Sequence, residues 1–174
     1  GLPREVGGIP LDEIGATGHG LAEAVEVAGE FCDLDLEGAT FAIQGYGSVG
    51  IHTARFLSDK GAVLVGAVDI HGGRVDPNGM DTQELLKIKS AGGKVLDYSG
   101  GSEIGCEDII DVACDIWVPA ARPDVINMDN VDRNAAETFA NVGDVFTAAV
   151  KAGHAHGVEV FGMMKPFDMG FERY

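Results

Sequence analysis

Along the chain, apolar residues recur first at helical spacing. Leu21, Ala24, Val25, Ala28, Phe31 and Cys32 share one face, with Glu23, Glu26 and Glu30 elsewhere. This predicts an amphipathic helix opening near Thr17, which can serve as its N-cap. The preceding residues 1–15, rich in Gly and Pro, read as loop, and residues 33–38 break the helical pattern. The apolar run 39–44 then suits a fully buried strand. Residues 48–60 return to helical spacing through Val49, Ile51, Ala54, Phe56 and Leu57, and stop at Gly61. A second apolar run, 62–68, ends on Asp69. Strand, helix and strand within about thirty residues predict a right-handed βαβ unit. Farther on, the chain predicts a turn-rich insert over 72–79, a helix over 81–90 and a short strand over 94–96. A buried strand over 115–119, a helix over 141–151 and a last strand over 158–161 follow. The alternation predicts an α/β fold, a doubly wound parallel sheet in a single domain over 1–174. Its lead-in loop covers 1–16, and the tail 152–174 is poorly readable.

Composition narrows the partners. With 28 acidic against 12 basic residues, the formal net charge is −16, a surface that repels phosphate backbones and anionic lipid heads. Neither nucleic acid nor a membrane surface is an expected partner. No run approaches the roughly 18 apolar residues of a spanning helix, and the start shows no signal-peptide pattern. The three cysteines, Cys32, Cys106 and Cys114, lack metal-ligand spacing and read as reduced thiols of a cytoplasmic protein.

Candidate chemistry lies in Gly45-Tyr46-Gly47-Ser48-Val49-Gly50. In a Rossmann-like unit each glycine of such a turn has a separate task. Gly45 permits the sharp exit from the strand, Gly47 lets the backbone approach a pyrophosphate, and Gly50 lets helix pack on strand. The helix opening at Ser48 turns free N–H groups and its positive dipole end toward the phosphates. Alone the glycine spacing is weak in a chain with 26 glycines. A strand directly before it, a helix directly after it and Asp69, 19 residues past Gly50, strengthen it. Asp69 suits a ribose-binding carboxylate, which favours NAD and leaves NADP open, Arg74 lying five positions on.

Beyond that turn, several segments resemble the glutamate, leucine, phenylalanine and valine dehydrogenases. They are Gly7-Gly8 with Ala16-Thr17-Gly18-His19-Gly20, the stretch from Phe41 to Gly50, Asp69 with Gly72-Gly73, and Asp76-Pro77-Asn78-Gly79. Cys114-Asp115-Ile116-Trp117-Val118-Pro119-Ala120-Ala121 and Ala140-Asn141-Val142-Gly143 complete the set. The resemblance implies the C-terminal NAD(P)-binding domain of an enzyme that oxidatively deaminates an L-amino acid to a 2-oxo acid and ammonia. It further implies Thr17 at the carboxamide, Ser48 and Val49 N–H groups at the pyrophosphate, and Asp69 at the adenosine ribose. Ala120 and Ala121 would line the cofactor's path, with Asn141 near the nicotinamide or substrate. In that family a preceding substrate domain carries the catalytic lysine and aspartate, so the chain is expected to bind a dinucleotide and to take an amino acid only with such a domain supplied. The chain departs from the family where Ile9-Pro10-Leu11-Asp12 follows the Gly-Gly pair, at Gly15, between Asn134 and Phe139, and from Gly157 onward.

The remaining polar residues offer no catalytic centre or metal site. Lys60, Lys87, Lys89 and Lys94 fall at helix ends or polar faces and read as solvated charges; Lys151 and Lys165 receive no role. His154 and His156 read as a surface pair and His71 as a loop histidine. His19 suits either a cap or a cofactor-facing place, and Trp117 and Met163-Met164 suit packing. A stand-alone NAD-binding regulatory module, or a subunit that docks on a dehydrogenase, is the alternative. Homo-oligomerisation stays open.

Overall fold

The computed structural model describes residue 4 and residues 7–31 and 34–121. The chain divides into two compact units, Gly1–Arg122 and Pro123–Tyr174, and the described residues fall in the first. The helix expected over 141–151, the strand over 158–161 and the tail lie outside the described residues.

Gly15 organises the start. It takes φ 75° and closes α1 (Leu11–Ile14), a single helical turn, by donating its N–H toward Asp12 O. Helix α2 (Ala16–Phe31) begins at once, its first bond running from His19 N–H to Gly15 O. Two expectations are therefore corrected. Part of the lead-in is helical, and Thr17 is the second residue of α2 rather than its cap, because the left-handed glycine makes the turn that a hydroxyl was expected to make.

Strand β1 (Thr40–Gln44), helix α3 (Ser48–Asp59) and strand β2 (Val63–Asp69) follow the apolar pattern within a residue or two. Strand β3 (Gly72–Val75) comes next, where turns were expected. Helix α4 (Thr82–Ser90) begins at Asp81, whose Oδ1 accepts from the N–H groups of Gln83 and Glu84, and it ends among Lys87 and Lys89, as its dipole favours. A 3₁₀ turn over Val95–Asp97 replaces the short strand expected there, and β4 (Ser102–Ile104), a second 3₁₀ turn (Asp108–Asp111) and β5 (Ile116–Pro119) complete the unit.

The five strands lie in the order β4-β3-β2-β1-β5. Strand β1 pairs in parallel with β2 and β5, whereas β3 runs antiparallel to β2 and β4 antiparallel to β3. The sheet is thus mixed, not parallel throughout. The reason is the length of one connection: only Ile70 and His71 separate β2 from β3, and a parallel crossover needs a dozen residues or more. Gly73 belongs in this strand because a Cβ there would fall 1.9 Å from Ala67 O.

Phe41, Ile43, Leu64, Ala67 and Val118 join Ala22, Ala54, Leu57 and Leu85 in one core between the sheet and the helices. Ala42 and Val68 pack with Ile109 and Trp117 in a second, smaller cluster. Among the described residues no helix is long and apolar enough to cross a membrane.

Candidate functional site

Strand β1 has β2 on one side and β5 on the other, so the chain leaving β1 passes between strands reached by connections to opposite sides. Such a switch point is where open α/β sheets hold ligands. The glycine turn sits there. Gly45 has φ 98°, and a Cβ on it would fall 2.5 Å from Ala121 Cα and 2.8 Å from the Ala120 carbonyl carbon. Ala120 N–H donates to Gln44 O at 2.7 Å, so Gly45, Ala120 and Ala121 come together through backbone packing.

The amides of Gly45 and Tyr46 both donate to Val68 O, at 3.0 and 2.8 Å, and pin the turn to the end of β2. These two donors are spent within the protein. Gly47 is extended (φ −96°, ψ −157°) and precedes α3, whose first helical bond beyond it is Ile51 N–H to Gly47 O. The N–H groups of Ser48, Val49 and Gly50 thus open the helix with no side-chain cap. A Cβ at Gly47 would meet nothing within 4 Å, while one at Gly50 would fall 2.3 Å from Gly45 O. Gly47 faces open space and Gly50 is the contact between helix and turn. This separation of roles fits a pyrophosphate laid across the first turn of α3.

Asp69 ends β2 beside this turn. Its Oδ1 accepts from His71 N–H at 2.9 Å, and its Oδ2 accepts from Lys89 Nζ at 2.8 Å and Val95 N–H at 3.0 Å. The carboxylate side chain is 8% exposed and that of Lys89 is 19% exposed. Burial pushes the Asp69 carboxyl up, but Lys89 and the two backbone donors outweigh it and hold the group below its ordinary value. Oδ1 keeps a second lone pair beyond the one that His71 N–H takes. The thiol of Cys106 donates to the Asp69 carbonyl at 3.0 Å.

Lys89 is therefore not a solvated charge but the counter-ion of Asp69. Its place in the last turn of α4 carried no signal of this, because the pairing depends on how α4 and the 3₁₀ turn over Val95–Asp97 fold back against β2. Lys60 is engaged as well, reaching across to Glu23 and Glu26 of α2.

Thr17 is exposed in the first turn of α2, and Gly18 beside it packs so closely on α3 that a Cβ would fall 2.7 Å from both His52 Cβ and Thr53 N. Ser48 Oγ, at 3.4 Å from Asp12 O, ties α3 to α1 in turn. His19 packs edge-on against Phe56 at 4.9 Å between centroids, a helix-packing place. Tyr46 of the turn is 1% exposed, and burial pushes its phenol far above the ordinary range. Asn141 lies outside the described residues. Among the described residues no three or more His, Cys, Asp or Glu side chains gather to hold a metal. The arrangement offers N–H donors, an apolar rim and a charge-balanced carboxylate, which suits binding rather than bond-making.

The match to known proteins covers almost the same stretch as the motifs. Residues 7–160 match the family model described as Glutamate/Leucine/Phenylalanine/Valine dehydrogenase. A glutamate dehydrogenase of Aeropyrum pernix is 42% identical over 153 residues, which cover 87% of this chain and 36% of that protein. An NADP-specific glutamate dehydrogenase of Saccharolobus shibatae is 38% identical over 138 residues, covering 79% of this chain and 32% of that protein. The chain thus spans about a third of the length of these relatives. In three dimensions it is similar to the hetero-hexameric glutamate dehydrogenase from Thermus thermophilus in its Leu-bound form. The TM-score is 0.59 at 25% identity, over 70% of this chain and 28% of that one. On the family match and these identities, the chain belongs to the glutamate, leucine, phenylalanine and valine dehydrogenase family.

Proposed function

We propose that this chain is the Rossmann-like dinucleotide-binding part of an amino acid dehydrogenase most like glutamate dehydrogenase. The observation that carries the reading is the glycine turn at the switch point. There Gly50 is held against Gly45 O, Gly47 faces open space, and the first N–H groups of α3 stand free of any cap. Ser48 and Val49 N–H groups hold the pyrophosphate, the free Oδ1 lone pair of Asp69 takes the adenosine ribose, and Ala120 and Ala121 border the path toward the nicotinamide. Thr17 holds the carboxamide. The bound nicotinamide supplies hydride acceptance in oxidative deamination of an L-amino acid; this chain's residues position it, and a substrate domain supplies the catalytic groups.

NAD is preferred, but by a small margin. A lone carboxylate repels a 2′-phosphate, whereas the Lys89 ammonium beside Asp69 offsets that charge. That one relative is NADP-specific is in keeping with a narrow choice in this family.

The test is a thermal melt of the chain with NAD, with NADP and without ligand. A ligand that binds only the folded state adds about 2.7 kcal/mol at a hundredfold excess over its dissociation constant. The expected result is a rise with NAD and a smaller one with NADP; no rise with either overturns the reading. A second reading, a dinucleotide-binding subunit that docks on a full dehydrogenase, draws support from the hetero-hexameric build of the Thermus relative. A stable complex with a full-length dehydrogenase in size-exclusion chromatography would favour it.

A further inference from the structure

His52 lies one turn beyond Ser48 on α3, and its ring fills the space under the α1–α2 junction. A Cβ on Gly15 would fall 2.4 Å from His52 Cγ and 2.5 Å from Nδ1, and one on Gly18 would fall 2.7 Å from His52 Cβ. Gly15 is held at φ 75° as the link between α1 and α2. Nδ1 is buried with no hydrogen-bond partner among the described residues. In the neutral ring protonated on Nε2, Nδ1 is a bare lone pair, and leaving it unbonded costs less than leaving a charged N–H unbonded.

We propose that His52 is a proton-sensitive spacer: when its ring takes up a second proton, Nδ1–H finds no acceptor, the Gly15 junction is forced away from α3, and Thr17 moves with it, weakening dinucleotide binding. The last step rests on the function proposed above. The charged groups on the elements packed around the ring do not supply an acceptor. On α3 itself Arg55 lies 4.2 Å over the Phe56 ring and repels a second positive charge. On α1, Glu13 pairs with Arg4 at 3.1 Å, and Asp12 makes no bond to Nδ1. On α2, His19 stands 3.8 Å from Glu23. Burial first, and Arg55 second, hold the His52 imidazole below its ordinary value of 6.5. Because the folded value is the depressed one, the unfolded chain binds more protons just below pH 6.5. Stability therefore falls as pH drops through that window and is fully regained above it.

The experiment is an NMR pH titration of the 174-residue chain without ligand, followed by NAD titrations about one pH unit above and about one pH unit below the His52 midpoint that it reads. The amides of Gly15, Ala16 and Thr17 are expected to shift in step with His52 protonation. They should stop doing so in His52→Gln and continue in His19→Gln. Junction amides that ignore His52, or that titrate unchanged in His52→Gln, overturn the proposal. NAD affinity is expected to fall roughly fivefold or more between the two pH values in the parent chain but not in His52→Gln; equal falls in both also overturn it. Absence of NAD binding at both pH values overturns the dinucleotide reading instead, and the amide titration then decides the spacer by itself.

Discussion

At the end of β1, six consecutive residues make the contact between turn and helix, while Val68 O and Ala121 hold the turn from outside. Gly45 turns, Gly47 faces open space, Gly50 touches Gly45 O, and Ser48 and Val49 open the helix between them. At the end of β2, a single acid depends on Lys89 and Val95, 20 and 26 positions further along, and lies against Cys106. The fit of helix on turn in the first region is set by local backbone geometry, so a short motif carries it. The second is specified by packing, so the charge around its acid is set by chain that is remote in sequence. Neighbouring regions of one site therefore differ in how much a motif can say about them.

Crowding the first region should cost the most stability. In Gly50→Ala the new methyl would lie 2.3 Å from a backbone oxygen that cannot swing aside. Overpacking of this kind costs on the order of 3 kcal/mol, read by urea unfolding, and the NAD-dependent rise in melting midpoint should vanish. Retention of the full rise would mean that helix and turn need not touch for the nucleotide to bind.

An intermediate effect is expected from Asp69→Asn, which leaves Lys89 without its counter-ion and costs about 1–3 kcal/mol. The sign of its pH dependence follows from the depressed carboxyl. Its stabilisation is full above the ordinary value of 3.8 and is lost as pH falls through the lower, folded value. The parent chain should therefore lose more stability than Asp69→Asn between about pH 5 and pH 2. Parallel acid-unfolding curves would place the anchorage of Asp69 in doubt.

Lys89→Gln is the mildest of the three substitutions. It keeps a donor near Asp69 but removes the positive charge, so NADP affinity should fall about fivefold or more relative to NAD. An unchanged ratio would show that Lys89 only supports the fold.

Patterns with one dominant period were legible. Strands β1, β2 and β5 and helices α3 and α4 fell where apolar runs and spacing placed them, and Asp81 capped α4 through its own side chain. Strand β3 was hidden because Gly72 and Gly73 signal turns, whereas Gly73 here meets the close approach of Ala67 O. Residues 94–96 looked like a strand, but Val95 N–H is taken by Asp69 and Lys94 N–H by Asp97, so no neighbouring strand receives them. Strand β4 has only three residues, and its pairing with β3 rather than its own composition makes it a strand.

Local pattern settles the βαβ unit, the glycine turn and the place of Asp69 at a strand end, because glycine conformation and apolar periodicity act within a few residues. Folding in three dimensions settles that the sheet is mixed, that Asp69 is paired with Lys89, and that His52 lies under the Gly15 junction. Each of these is set by contacts between segments far apart in the chain, whose strength comes from burial and charge proximity rather than from any local preference.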